Sequence, residues 1–452
     1  MAPGLLFYYC LPMKDHSINI QEALGLAINH HQSGRLGEAE CIYQQILKLS
    51  PNNIDALHLL GILAYGLKEY EAAVELINKA VQLNPGYAEA HYNLGKVYQE
   101  QGSLDEAIAS YQRAVAVNPG YAEAHNNLGN AFLGQGRLDD AVASYGRAIA
   151  ANPDDAYSYC NLGNALREQG RLDDAIASYR HAITLNPGYS KARNSLGYTL
   201  QEQGKLEEAI VTYRYALEKD PDNSIAAHML AALAGQTTET APQRYVSTLF
   251  DYCAKKFEDQ LVNKLEYRSP TLLRQALDSL LNEGQRFQNA IDLGCGTGLS
   301  GMAFRPIVNH LSGIDISPNM IEEAGRKGIY DSLQVGDIHD FLRETDEKYD
   351  LFIATDVLVY IGNLLPIFSS VRDSSLGGAY FVFLTESIDS SSSPQGKDYL
   401  LRQTGRYAHS LSYIKSLARE YNFEITICQQ AVIRRHNEEG IIGDHLVLRY
   451  LK

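Results

Sequence analysis

Proline recurs every 34 residues through the first half of the chain, at Pro51, Pro85, Pro119, Pro153, Pro187 and Pro221, and that interval leaves few folds open. Ala39, Ala73, Ala107, Ala141, Ala175 and Ala209 keep the same spacing. So do Gly61, Gly95, Gly129, Gly163 and Gly197, with Ala27 standing in the first unit. Six units follow, starting near Ile20, Ile54, Ala88, Ala122, Ala156 and Ser190. A fixed period of this length marks stacked supersecondary units, none of which can bury its apolar face alone. Proline ends the second helix of each unit because it lacks an N–H and restricts the residue before it, here Asn84, Asn118, Asn152, Asn186 or Asp220. Small residues such as Gly95 and Ala107 let two antiparallel helices approach closely. Tyr43, Tyr111, Tyr145, Tyr179 and Tyr213 then fill the gap between neighbouring hairpins.

These positions resemble the tetratricopeptide repeat over roughly residues 20–223. The large aromatic usual near the start of each unit is weak, with Ala23, Leu57, His91, His125, Tyr159 and Arg193 in its place. Residues 224–234 predict a closing helix, so the expected divisions are an extension at 1–19, six repeats with their cap at 20–234, and a Thr-, Gln- and Pro-containing linker at 235–244. Asn93, Asn127 and Asn161 recur at one position of the first helix, with Asn130 and Asn164 three residues further on the same face. The resemblance extends to the repeats of protein-O-glycosylating enzymes. It implies an asparagine ladder on the concave surface that holds the backbone of a protein or peptide partner. The alternative is that these amides satisfy buried groups between hairpins.

After the linker the periodicity changes. Short β-branched runs at Ala290–Leu293, Leu311–Asp315, Ser332–Val335, Leu351–Ala354 and Ala379–Leu384 alternate with helical stretches, which predicts a mostly parallel sheet with helices on both faces. Two further runs, Phe423–Val432 and His445–Tyr450, predict an antiparallel hairpin at the sheet edge. The segment Ala290-Ile-Asp-Leu-Gly-Cys-Gly-Thr-Gly298 ends a strand in glycines, where backbone can come close to a ligand. Asp315 and Asp337 end the next two strands.

This half, over about residues 245–452, resembles class I S-adenosylmethionine-dependent methyltransferases. The expected fold is therefore an α-solenoid followed by a Rossmann-like domain with a seven-stranded, mostly parallel sheet. The resemblance implies that Asp292 holds the ammonium end of S-adenosylmethionine, that Gly294, Gly296 and Gly298 shape the loop beneath it, and that Asp315 accepts the ribose hydroxyls. It further implies that Asp337 meets the adenine amino group, with Ile316 and Ile338 flanking the ring. Phe250 and Phe257 match a lid segment of small-molecule methyltransferases, and Arg268 is a candidate for the cofactor carboxylate or for a helix-cap or surface role. Gly296 to Gly301 also fits a dinucleotide fingerprint, a weaker match than the preceding Asp-Leu-Gly-Cys-Gly-Thr-Gly.

A methyl acceptor that carries a proton is helped by a base. His409 is the first candidate, followed by His339, Tyr360, Asp356 and Glu386; an ordinary structural histidine is the competing reading of His409. The acceptor itself is not legible, and a non-catalytic repeat scaffold with a degenerate enzyme domain is the alternative function.

Composition bounds the rest. A formal net charge of -15 disfavours duplex nucleic acid or an anionic membrane as partner. No stretch reaches the ~18–20 apolar residues of a membrane span. The six cysteines show no CxxC or zinc spacing and read as reduced thiols in a cytoplasmic protein.

Overall fold

The computed structural model describes residues 19–254, 257–258, 267–388, 397–436 and 439–452. These fall into two compact units that divide between Gly204 and Lys205.

The first unit is a succession of helical hairpins: α1 (Ile20–Gln32), α2 (Leu36–Leu49), α3 (Ile54–Gly66), α4 (Tyr70–Leu83), α5 (Ala88–Glu100), α6 (Leu104–Val117), α7 (Ala122–Gly134), α8 (Leu138–Ala151), α9 (Ala156–Glu168), α10 (Leu172–Leu185) and α11 (Ser190–Glu202). The repeat chemistry explains the breaks. Asn84, Asn118 and Asn186 sit extended before their prolines, and each side chain accepts the backbone N–H two residues on, from Gly86, Gly120 and Gly188. At the inner turns Gly102, Gly136 and Gly170 take φ near +75°, closed to side chains with a Cβ at little cost.

Close approach within each hairpin is what the glycines permit. A Cβ on Gly95, Gly129 or Gly163 would fall 2.6 Å from the ring of Tyr111, Tyr145 or Tyr179 respectively. Those tyrosines are fully buried. Their hydroxyls find partners at Gln99, Asn130 and Asn164. A buried phenol needs such a partner, because an unpaired one costs roughly 1–3 kcal/mol.

The second unit begins with α12 (Leu206–Lys219) and α13 (Ser224–Leu233) and continues into a nine-stranded sheet. The parallel strands β1 (Phe287–Leu293), β2 (Val308–Asp315), β3 (Ser332–Val335), β4 (Tyr349–Ala354) and β5 (Ser375–Ser387) lie in the order β3-β2-β1-β4-β5. Helices α14 (Gln243–Cys253), α15 (Ser269–Asp278), α16 (Leu299–Phe304), α17 (Pro318–Arg326), α18 (Ile338–Glu344), α19 (Leu365–Asp373) and α20 (Leu411–Glu420) accompany it. Beyond β5 the sheet forks. Short strands β6 (Tyr399–Leu401) and β7 (Tyr407–His409) extend one side through a parallel β5–β7 contact. The hairpin β8 (Phe423–His436) and β9 (Glu439–Tyr450) joins β5 antiparallel. The late hairpin is as expected; β6 and β7 are additions, three residues each and too short to show a period. Phe352, Phe368, Phe381, Phe383 and Phe423 form the centre of a core shared by β1, β4, β5, α19 and α20.

Residues 235–244 do more than connect. Thr240 bridges Ile361, Ala241 N–H donates to the Tyr360 carbonyl at 2.9 Å, and the Glu239 carbonyl accepts from both Gly362 and Asn363. Just before them, His228 on α13 bonds the Gly405 carbonyl at 3.0 Å and packs against Tyr245 with the two rings tilted by 43°. Cys160, Cys295 and Cys428 are free thiols. Among the described residues no helix is long and apolar enough to cross a membrane.

Candidate active site

The loops after β1, β2, β3 and β4 leave the carboxyl ends of adjacent parallel strands together, where open α/β sheets bind their ligands. They surround a cavity of about 890 Å³, the open solvent at its mouth included. Gly294, Gly296, Asp315, Ile316, Asp337 and Ile338 all line it. Phe250 and Phe257 line it too, edge to face with ring centroids 5.9 Å apart.

The glycine loop is pinned from below. Gly294 and Cys295 both donate to the Ile314 carbonyl, at 2.8 and 2.9 Å. Gly294 has a φ of 69°, and a Cβ there would strike Val357 at 2.6 Å. At Gly296, with φ of 54°, the nearest atom to a Cβ would be in Phe257 at 4.0 Å, so its bare face belongs to the cavity.

Asp315 is almost wholly buried. Its Oδ2 accepts from Gly296 N–H and its Oδ1 from Ser317 N–H, both at 2.9 Å. Burial pushes its pKa up, opposed by these backbone bonds. Each carboxylate oxygen retains a lone pair for a hydroxyl. Asp337 caps α18 through His339 and Asp340 N–H, while its Oδ2 accepts from Gln243 at 3.1 Å. The capping role open to any Asp at a helix start is thus real, and it coexists with a place on the cavity wall.

Three expected residues stand elsewhere. Asp292 is fully buried and is not part of the lining; Tyr330 O–H donates to its Oδ2 at 2.7 Å, and its Oδ1 meets no hydrogen-bond geometry with a described residue. Burial, chiefly, raises its pKa to about 7. Gly298 is covered as well, a Cβ there lying 3.2 Å from the Tyr330 ring. His409 sits on β7, fully buried, with Nε2 on the carbonyls of Ile361 and Gly362 at 2.9 and 3.1 Å. Desolvation lowers its pKa to about 4, and it does not line the cavity. The first-choice base is therefore a structural histidine that ties β7 to the loop after β4. His339 is occupied by Ser370 at 3.1 Å, and Arg268 is exposed at the start of α15.

Sequence reasoning missed several members. Tyr330 packs against Gly298, Gly301 and Gly313, so two of the three glycines that fit a dinucleotide fingerprint make room for a phenol, while the third, Gly296, faces the cavity. Thr240, Ala241 and Gln243, read as linker, line the cavity, as do Tyr267 and Thr355. Arg406 stands behind Tyr360 and Asp356, donating from Nη1 to the Tyr360 hydroxyl at 3.0 Å and from Nε to Glu386 at 2.8 Å. Asp356 has a φ of 56°, a left-handed conformation that costs on the order of 1 kcal/mol and persists only where surroundings impose it.

In the first unit, Asn93 Nδ2 meets His58 Nε2 at 3.0 Å, Asn127 donates to the Tyr92 hydroxyl at 3.1 Å, and Asn161 to Asn126 Oδ1 at 3.1 Å. Each bond reaches back to the preceding repeat. Asn130 and Asn164 are spent on the buried tyrosines of their own hairpins.

Comparison with known proteins bears on both halves. Residues 92–156 and 160–224 match the tetratricopeptide repeat, as does 65–102, and residues 265–427 match a methyltransferase domain. The chain carries tetratricopeptide repeats ahead of a methyltransferase domain. Human methyltransferase-like protein 27 is 37% identical over 78 residues, 17% of this chain and 32% of that protein, so the match spans about a third of the relative's length. Among solved structures, MamA is 29% identical with TM-score 0.35 and covers 36% of this chain and 95% of its own. YrrB, described as a repeat protein with an unusual peptide-binding site, is 22% identical with TM-score 0.37, covering 41% and 96%. Pseudomonas aeruginosa pilF is 16% identical with TM-score 0.42, covering 47% and 96%.

Proposed function

We propose that the chain is an S-adenosylmethionine-dependent methyltransferase whose repeats dock a protein or peptide. The observation that carries this reading is the convergence of Gly296, Asp315 and Asp337, from the ends of three successive parallel strands, on one cavity. The residues suit the cofactor. The bare face of Gly296 admits a ligand where a Cβ would intrude, and Asp315 has acceptor capacity left for a pair of hydroxyls. Ile316 and Ile338 offer apolar walls to an adenine ring, with Asp337 beside them. Phe250, Phe257 and Val246 exclude water from the opposite side.

S-adenosylmethionine supplies a methyl group already activated on a sulfonium, so the chain's own task is alignment and desolvation. Asp292 acts on the ammonium end in this reading through the loop it underlies, not by direct contact. In the repeats, the amide nitrogens of Asn93, Asn127 and Asn161 serve the stack; their oxygens make no hydrogen bond to described residues and are the acceptors we assign to a peptide backbone.

Titration calorimetry with S-adenosylmethionine tests the cofactor assignment. The wild type is expected to bind one equivalent. Asp315→Ala is expected to lose about 100-fold in affinity, near 2.7 kcal/mol, with an unchanged circular dichroism spectrum. Absence of heat from well-folded wild type would leave only the scaffold reading.

A further inference from the structure

The cavity is lined by one sign of charge. Asp315, Asp337 and Asp356 contribute carboxylates, and no Lys, Arg or His is among its described lining residues. The cofactor reading uses the first two and leaves Asp356 without a task. Asp356 follows β4 in its left-handed conformation, and its Oδ1 is ion-paired with Arg406. Its Oδ2 makes no hydrogen bond to a described residue, and the side chain keeps 14% of its surface exposed. Arg406 cannot turn away to meet a ligand. Its three nitrogens are engaged by Glu386, the Tyr360 hydroxyl and Asp356, and Glu386 is held in turn by Arg434 at 2.9 Å. Tyr360, Val357 and Thr355 complete this end of the cavity.

We propose that the Asp356 end is the methyl-acceptor subsite and that it takes a small apolar molecule that is not anionic, presenting an N–H or O–H to Asp356 Oδ2. The inference rests on the methyltransferase reading and narrows it. An ionised carboxylate only accepts hydrogen bonds, so the group that faces it must carry a hydrogen. The apolar walls strengthen the repulsion an anion meets there. The nearest guanidinium, which would otherwise recognise an acid, already has its three nitrogens engaged by Glu386, the Tyr360 hydroxyl and Asp356. Carboxylic and phosphoric acids are thereby excluded as the reacting end. Arg406 is a positioning residue: it fixes the carboxylate and the Tyr360 phenol without touching the acceptor.

The test uses the full chain saturated with S-adenosylhomocysteine and measures calorimetric binding of matched probes. Benzylamine, aniline, benzyl alcohol and phenol are set against benzoate and phenyl phosphate. The expected result is at least a roughly tenfold preference for the donor-bearing probes. Asp356→Asn, which replaces the acceptor-only carboxylate by an amide, is expected to erase that preference while S-adenosylhomocysteine affinity holds. Equal or tighter binding of benzoate or phenyl phosphate overturns the proposal, and so does absence of binding by every probe. The wild-type comparison stands whether or not the variant folds. If S-adenosylhomocysteine itself fails to bind, the methyltransferase reading has failed; if it binds and acids are preferred, only the acceptor assignment has.

Discussion

Tyr145 in the repeats and Tyr330 in the methyltransferase domain are both buried phenols wedged against glycine. Tyr145 packs on Gly129 and gives its hydroxyl to Asn130; Tyr330 packs on Gly298, Gly301 and Gly313 and gives its hydroxyl to Asp292. The physics is the same. What differs is multiplicity: the Tyr145 arrangement recurs at Tyr111 and Tyr179, whereas that of Tyr330 occurs once and joins segments from β1, α16 and β2. A repeated wedge stabilises only its neighbours, and a single one bears on the whole sheet around it.

The largest expected effect sets this contrast at risk. Tyr145→Ala should cost about 4 kcal/mol, in the range of large aromatic truncations. Hydrogen exchange should then rise in α7, α8 and the adjoining hairpins, leaving β1 to β5 as protected as before. Loss of protection throughout the sheet would break the distinction between a modular unit and a cooperative one.

His409→Ala is next. It removes a buried ring and two carbonyl bonds that pin the loop after β4, at a cost of about 3 kcal/mol in denaturant unfolding. Cofactor affinity should change little. A variant of normal stability that binds S-adenosylmethionine but transfers no methyl group would restore this histidine as a base.

Asp292 yields the smallest effect and a pH signature. Its folded pKa, about 7, lies above the ordinary 3.8, so the native state keeps a proton that the unfolded chain gives up. The associated stability is complete below about pH 4 and is lost as pH rises to about 7, at up to ~1.4 kcal/mol per unit. The full shift represents about 4 kcal/mol; with the weaker Tyr330 bond to an amide set against it, Asp292→Asn should stabilise the ligand-free protein by on the order of 2 kcal/mol at pH 8 and by nothing near pH 4. An unchanged pH profile in thermal melts would mean that Asp292 is ionised and satisfied.

The repeats were legible because a period of 34 writes every packing contact several times over: Gly95 and Tyr111, Gly129 and Tyr145, Gly163 and Tyr179 announce one another. The five parallel strands and the late hairpin were legible from alternation, and so were the strand-end places of the glycine loop, Asp315 and Asp337; the cofactor roles proposed for them come from the resemblance. Tyr330 was not, because a lone tyrosine between α17 and β3 carries no local sign of the three glycines it meets. His409 misled because β7 is too short to show a pattern, so nothing in the sequence marks it as a buried strand residue. Residues 235–244 misled through composition: Thr, Gln and Pro suit a linker, yet Thr240 and Gln243 bond Tyr360 and Asp337 on the cavity wall, and Thr238 bonds Tyr407 on β7.

A crystal structure of the full chain soaked with S-adenosylhomocysteine tests the central claim most directly. The account predicts density in the cavity bounded by Gly296, Asp315 and Asp337, with the ribose hydroxyls on Asp315 and the base between Ile316 and Ile338. Nucleoside bound at another place, or a cavity filled by the chain's own side chains under saturating ligand, would contradict it.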